Sequence, residues 1–424
     1  MSEVVREVTE TKRNTGRTSI GGTRSLGRPI VMLVTATLGF ALNFWAWALL
    51  SPLAPRFQES LGLTSFEQSL LVAVPVVVGS LGRIPVGALT DRFGGRVMFP
   101  ALSIVTIAPV LFLGILGNSS LAALLAGGFV LGVAGTVFAV GVPFVGAWFP
   151  PERRGLALGV FGAGMGGTAI TALTTVPLVD ARGLAFPFEL LAVVLAVYAA
   201  AAWLVLREAP GRGTSGTSLI RRMAGTLRLP VTWQMSALYA VTFGGFVAFS
   251  VYLPTYLREQ YGLAQADASN RMAGFVLLAV LMRPFGGWLS DRIGAVRVMV
   301  VSLAVTVAGA AVQASAPPLT PLGTIAFLAM AAALGAGSGA TFALVAQLAP
   351  AGGVGAVTGV VGAAGGLGGF VPPLIMGAVY GAFGTYALGL VLLALVAATA
   401  AVFTATVVQR AAANRQSAGA GRGG

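Results

Sequence analysis

The chain has 424 residues, of which 56% are hydrophobic and only 9% charged, and its mean hydropathy is +0.89. These values exclude an ordinary water-soluble domain and predict a chain that crosses a membrane many times. With no Cys and no His, disulfides, thiol chemistry and the usual soft metal ligands are excluded together, and no cofactor is expected.

Residues 1–29 are polar, rich in Thr, Arg and Ser, and lack the short apolar core of a cleaved signal peptide, which predicts a cytoplasmic tail. Apolar runs of spanning length then follow at 30–51, 67–89, 97–117, 121–149, 155–179 and 186–206. Residues 208–232, with Pro210, Gly211, Gly213, Gly216 and several arginines, form a long polar interior segment and read as a linker. Six more runs occupy 235–257, 272–290, 298–316, 321–347, 355–381 and 385–409, and a short tail, 411–424, ends the chain. The expected domains are therefore two six-helix bundles, 30–207 and 233–410.

A net charge of +13 would suit a nucleic-acid partner, but the basic residues are placed otherwise. With the N-terminus inside, 20 of the 26 Lys and Arg fall in tails and loops on that side, and only Arg56, Arg182, Arg258 and Arg271 fall on the other. That asymmetry follows the positive-inside rule and predicts a multi-pass cell (inner) membrane protein with both termini cytoplasmic, in contact with the lipid bilayer rather than nucleic acid. The expected unit is a monomer.

An internal repeat organises the spans. At an offset of 200 residues, Arg83, Gly87, Leu89, Asp91, Arg92 and Gly94 match Arg283, Gly287, Leu289, Asp291, Arg292 and Gly294. At the same offset Gly155, Gly159, Val160, Gly162, Ala163 and Gly166 match Gly355, Gly359, Val360, Gly362, Ala363 and Gly366. Six spans repeated in the same orientation predict an all-α membrane protein of twelve transmembrane helices in two pseudo-symmetric bundles, with substrate between them near the midplane.

Arg83 and Arg283 each precede a loop Asp by eight residues. At about 1.5 Å per residue this puts each guanidinium roughly 12 Å inside the membrane edge, where an unpaired charge points to function. One reading pairs each arginine with a carboxylate to hold helices together. The 13 acidic residues oppose it, since all fall in tails, loops or helix ends. The other reading is an anion between the arginines, and a guanidinium's planar fork of donors suits flat oxyanions. Arginine does not give up its proton and no intramembrane Asp, Glu or His is expected, so exchange is a simpler mode than proton coupling.

The stretch from Gly79 to Arg96, with Gly87-x-Leu89-x-Asp91-Arg92-x-Gly94-x-Arg96, resembles the loop motif of the major facilitator superfamily. The paired arginines and the two glycine-rich helices resemble, more narrowly, its nitrate/nitrite porter family. The resemblance implies a major facilitator fold and transport of nitrate and nitrite by alternating access, with Arg83 and Arg283 as the substrate-binding pair. It also implies that Phe138, which precedes Phe149-Pro150 on the fourth span, and Phe243 sandwich a flat anion while Tyr239 donates a hydrogen bond to it. Gly164 and Gly366 would border the site. The family often carries an Asn near where Met165 and Gly166 stand here, a departure that bears on anion preference.

Helical spacing alone puts Tyr239 and Phe243 on one face, where they serve packing equally well. Asp91, Arg92, Asp291 and Arg292 read as a conformational switch, a loop carboxylate capping a helix and pairing with arginine in one state only. Topology and solvation are the plainer reading of the nearby Arg96 and Arg297. A carrier of formate, oxalate or another carboxylate, or a nitrate/proton symporter, would use the same arginines. A membrane sensor fits less well, because only 14 residues follow Arg410. An enzyme fits least, with no metal cluster, His base or paired intramembrane carboxylates.

Overall fold

The computed structural model describes residues 27–210, 225–350 and 354–420. Most of the expected N-terminal tail, the middle of the linker and the last four residues of the C-terminal tail lie outside the described residues. Among the described residues the regular elements are all helical, and eleven helices plus one bent pair are long and apolar enough to cross a bilayer. In chain order they are α1 (Arg28–Leu61), α2 (Ser65–Leu81 continued by Arg83–Phe93), α3 (Gly95–Ile115), α4 (Leu121–Trp148), α5 (Ala157–Arg182) and α6 (Phe186–Val205). The second set is α7 (Pro230–Tyr261), α8 (Gln265–Ile293), α9 (Ala295–Ala314), α10 (Leu319–Leu348), α11 (Val357–Phe383) and α12 (Ala387–Arg415).

Two elements differ from their expected form for physical reasons. The helix of α1 runs on past the apolar run that ends at residue 51, through a 3₁₀ turn at Ser51–Leu53 into an amphipathic helical segment, Ala54–Leu61, that hydropathy does not register. The second span is bent by 41° at Gly82. Pro85 has no N–H to give the Leu81 carbonyl, and its ring crowds the preceding turn, so the helix re-starts at Arg83. The bend places Arg83 on the first turn of a fresh helical segment.

The repeat is carried into the backbone. Gly62 (φ 65°) and Gly262 (φ 67°) end α1 and α7, and Gly94 (φ 87°) and Gly294 (φ 95°) separate α2 from α3 and α8 from α9. Each is a conformation that glycine reaches without steric penalty. Helix contacts repeat as well. A Cβ on Gly135 of α4 would lie 3.1 Å from the Gly79 Cα of α2, and one on Gly335 of α10 would lie 2.2 Å from the Ala279 carbonyl of α8. Both arginine-bearing helices are thus laid backbone to backbone on a glycine of the second helix after them, the small-residue packing that replaces hydrophobic drive inside a bilayer.

An even number of spans brings both chain ends to one face, the terminal face. On the opposite face, side chains tie the two bundles together. Gln68 Nε2 donates to Thr255 Oγ1 at 3.2 Å, Ser69 Oγ to the Tyr252 hydroxyl at 3.4 Å, Ser51 to the Val251 carbonyl and Gln265 to the Pro52 carbonyl, and Arg258 pairs with Glu59. Tyr252 also contacts Tyr386 at 3.1 Å, and Tyr386 donates to Glu259, so the seal is backed by a buried polar chain. The molecule is closed on that face.

Gly339 provides a test of the packing, since a Cβ there would sit 2.1 Å from the Arg283 carbonyl. Gly339→Val is expected to destabilise the protein by about 1–3 kcal/mol through overpacking, read as a lower thermal midpoint in detergent. Gly159→Ala, where a Cβ meets open space, is expected to leave it unchanged or slightly raised.

Candidate functional site

Arg83 and Arg283 meet between the bundles, and each reaches across to the glycine-rich helix of the other half. Arg83 Nη1 on α2 donates to the Gly362 carbonyl of α11 at 2.6 Å. Arg283 Nη1 on α8 donates to the Met165 Sδ of α5 at 3.2 Å, and its Nη2 donates to the Tyr239 hydroxyl of α7 at 2.6 Å. The two guanidinium groups are close enough to interact electrostatically. Both side chains are half-buried, and the Arg83 Nε is buried without a hydrogen-bond partner.

Aromatic rings enclose the charges. The Phe138 ring lies 5.3 Å from the Arg83 guanidinium carbon. Around Arg283 stand Tyr239 at 5.7 Å, Phe243 at 5.3 Å and Phe342 at 5.4 Å. Tyr239 and Phe243, one turn apart on α7, stack with centroids 4.8 Å apart and planes inclined by 2°. Their negative faces favour the cations while leaving the polar edges of the guanidinium groups available. The expected aromatic residues are therefore brought to the arginines, Phe138 to one and Phe243 with Tyr239 to the other. Since the Tyr239 oxygen accepts from Arg283, its own O–H is left to donate elsewhere.

Glycine gives this crossing its room. A Cβ on Gly366 would lie 2.3 Å from Ser80 Oγ and 3.2 Å from Arg83 Nη1, and one on Gly365 would lie 2.1 Å from the Tyr239 ring. Gly366 thus borders Arg83. Gly164 sits differently, because its open side is filled by Phe40 of α1, where a Cβ would lie 2.6 Å from the Phe40 Cβ.

No carboxylate pairs with either arginine among the described residues. The described ion pairs, Arg56 with Asp180, Arg258 with Glu59 and Arg271 with Asp267, lie towards the face opposite the termini. Glu67 is committed to a capping box with Thr64 at the start of α2. Asp91, Arg92, Asp291 and Arg292 lie at the terminal-face ends of α2 and α8, away from the arginine pair. Arg92 covers the Phe93 ring at 5.1 Å and Arg292 the Trp288 ring at 4.2 Å, while Glu208 accepts from the Arg96 backbone N–H and so caps α3.

Three contributors escape a side-chain reading of the sequence. Gly362 acts through its carbonyl, which no residue type announces. Phe342 has Val142 at its repeat position and so no aromatic counterpart, and Met165 is marked in the sequence only as a departure from the family's Asn, not as a partner of Arg283.

A family model described as Major Facilitator Superfamily matches residues 36–269 and 235–423. The chain is 50% identical over 375 residues to the probable nitrate/nitrite transporter NarK2 of Mycobacterium tuberculosis, covering 88% of this chain and 95% of that protein. It is 38% identical to the nitrite extrusion protein of Bacillus subtilis, covering 65% and 68% of the two chains. It is 34% identical to the probable nitrate/nitrite antiporter NarK1 of Thermus thermophilus, covering 63% and 62%. Among solved structures, a bacterial homologue of the human lysosomal transporter Spinster, in an inward-facing and occupied conformation, superposes with a TM-score of 0.72 at 19% identity over 90% of this chain and 97% of that one. The chain belongs to the major facilitator superfamily and, within it, to the nitrate/nitrite porter family.

Proposed function

We propose that this protein carries nitrate and nitrite across the cell membrane by alternating access and works as a nitrate/nitrite exchanger. The observation that carries the reading is the crossed arginine pair: two permanent charges, one from each bundle, without a carboxylate between them among the described residues. A small flat oxyanion offers both forks what a neutral carbonyl and a thioether supply only in part. The names of the relatives support the same substrates. In this reading Phe138 and Phe243 bound the anion, Tyr239 donates its free O–H to it, and Gly366 keeps the Arg83 side clear. Gly164 supports the site from behind by seating α5 on α1.

The bundles divide at 30–207 and 233–410, with the linker 208–232 between them. The charge asymmetry orients the terminal face to the cytoplasm, so the sealed face is outward. Asp91 with Arg92 and Asp291 with Arg292 then lie where the inner ends of the bundles would meet in the alternate state, as a switch requires. The functional unit is a monomer.

Exchange follows from the charges. Without an anion the two guanidinium groups repel, and the bundles cannot close fully around them; a bound anion relieves the repulsion and permits the switch. Arginine offers no dissociable proton to couple instead.

Arg83→Lys keeps the charge but loses the fork. It is expected to lower nitrate uptake into reconstituted vesicles at least about tenfold, the equivalent of one lost charge-assisted hydrogen bond. Near-normal uptake by that variant would overturn the site. Loading the vesicles with nitrite is expected to accelerate entry of external nitrate with no pH gradient imposed. Uptake that ignores internal nitrite and needs a proton gradient would overturn exchange.

A further inference from the structure

The two arginines are held unequally. Across the interface Arg83 rests on a backbone carbonyl, which cannot be removed without moving α11, whereas Arg283, tied to Tyr239 within its own bundle, rests on the thioether of Met165. Position 165 has glycine at its repeat partner, Gly365, where the vacated space is filled by the Tyr239 ring. The methionine therefore exists in one half of the site only.

Local structure fixes where Met165 points. It lies in a 3₁₀ turn, Ala163–Gly166, that tightens the glycine-rich helix at this level. Its neighbours are clamped against α1: a Cβ on Gly164 would lie 2.6 Å from the Phe40 Cβ, and one on Gly167 would lie 1.9 Å from the Ala41 carbonyl. The Met165 carbonyl accepts from Thr168 Oγ1 at 3.0 Å. With that side of α5 committed to α1, the Met165 side chain is directed across the interface, where only 2% of the residue remains exposed and its sulfur meets Arg283. A thioether is a weak, neutral and flexible acceptor, strong enough to occupy a guanidinium N–H and readily displaced by an anion.

We propose that Met165 is a built-in stand-in ligand, a positioning residue that holds Arg283 across the bundle interface in the empty carrier and yields its N–H to the substrate anion. The idea rests on the reading of Arg83 and Arg283 as the anion site. Binding then exchanges a sulfur acceptor for an oxyanion at Arg283, and the strength of the acceptor at position 165 sets the apparent affinity. A weaker acceptor tightens anion binding; a stronger one opposes it.

The test compares Met165→Leu, which keeps the bulk without an acceptor, with Met165→Gln, which supplies a stronger amide oxygen. Nitrate and nitrite KM are measured in exchange-competent vesicles, and Kd is measured by titration of the detergent-solubilised protein, which reads binding even where transport is lost. The Leu variant is expected to bind about 3- to 10-fold more tightly and the Gln variant more weakly by a similar factor, the range of one net hydrogen bond. Equal losses of affinity in both variants would make Met165 a packing residue and overturn the proposal, as would no change in either. Arg83→Lys serves as the separate control. If it binds nitrate normally, the anion site itself is wrong; if it loses binding while the Met165 pair behaves as packing variants, only the stand-in role fails.

Discussion

A guanidinium at mid-depth in a bilayer carries a cost of about 2.5–3.5 kcal/mol on insertion scales, and this chain places two along the interface between its bundles. Neither has an ion-pair partner among the described residues. What holds them is a set of neutral acceptors and ring faces: one carbonyl, one thioether, one phenol and four aromatic rings. Such partners lower the cost without cancelling the charge. The residual positive potential is what an anion finds, and its position between the bundles is what couples binding to their relative motion.

The rest of the architecture keeps those charges in place while letting the bundles move. Glycine-to-backbone contacts lock α2 on α4 and α8 on α10, so each arginine is rigid within its own half. Contacts between halves are mixed: a Cβ on Gly377 of α11 would lie 2.6 Å from the Ser65 carbonyl of α2, and side-chain hydrogen bonds and one exposed ion pair add to this on the face away from the termini. The hydrogen bonds and the ion pair are the part of this seam that can be exchanged as the bundles move. The arginines add their own crossing contacts to the opposite bundle's glycine-rich helix, placing the substrate site on the same interface that must rearrange. The repeat makes the crossing nearly symmetric, and Met165 opposite Gly365 is where the symmetry fails.

The fold was legible because membrane helices announce themselves by hydropathy and because the 200-residue offset preserves Arg83 with Arg283 and Gly94 with Gly294. Arginine depth could be counted from Asp91 and Asp291, and the acid census already removed carboxylate partners at that level. Element ends were less legible. Residues such as Arg258 and Asp267 remain helical in the interface, where hydropathy falls but backbone hydrogen bonding continues. The bend in α2 was encoded in Pro85, yet Pro284, one place earlier relative to its arginine, leaves α8 continuous, so the motif by itself does not dictate it. At the site, the family resemblance pointed to Phe138, Tyr239 and Phe243. It could not reveal the Gly362 carbonyl, the approach of Phe342, or the direction imposed on Met165 by α1, because these depend on which backbones touch.

In the proposed carrier both arginines hold a single anion. Calorimetric titration of nitrate into the wild-type protein, Arg83→Lys, Arg283→Lys and the double variant tests it most directly. One shared site predicts that either single substitution removes most of the binding and that the double variant is little worse than the singles. Normal binding in either single variant, or two losses that add in full, would contradict the account.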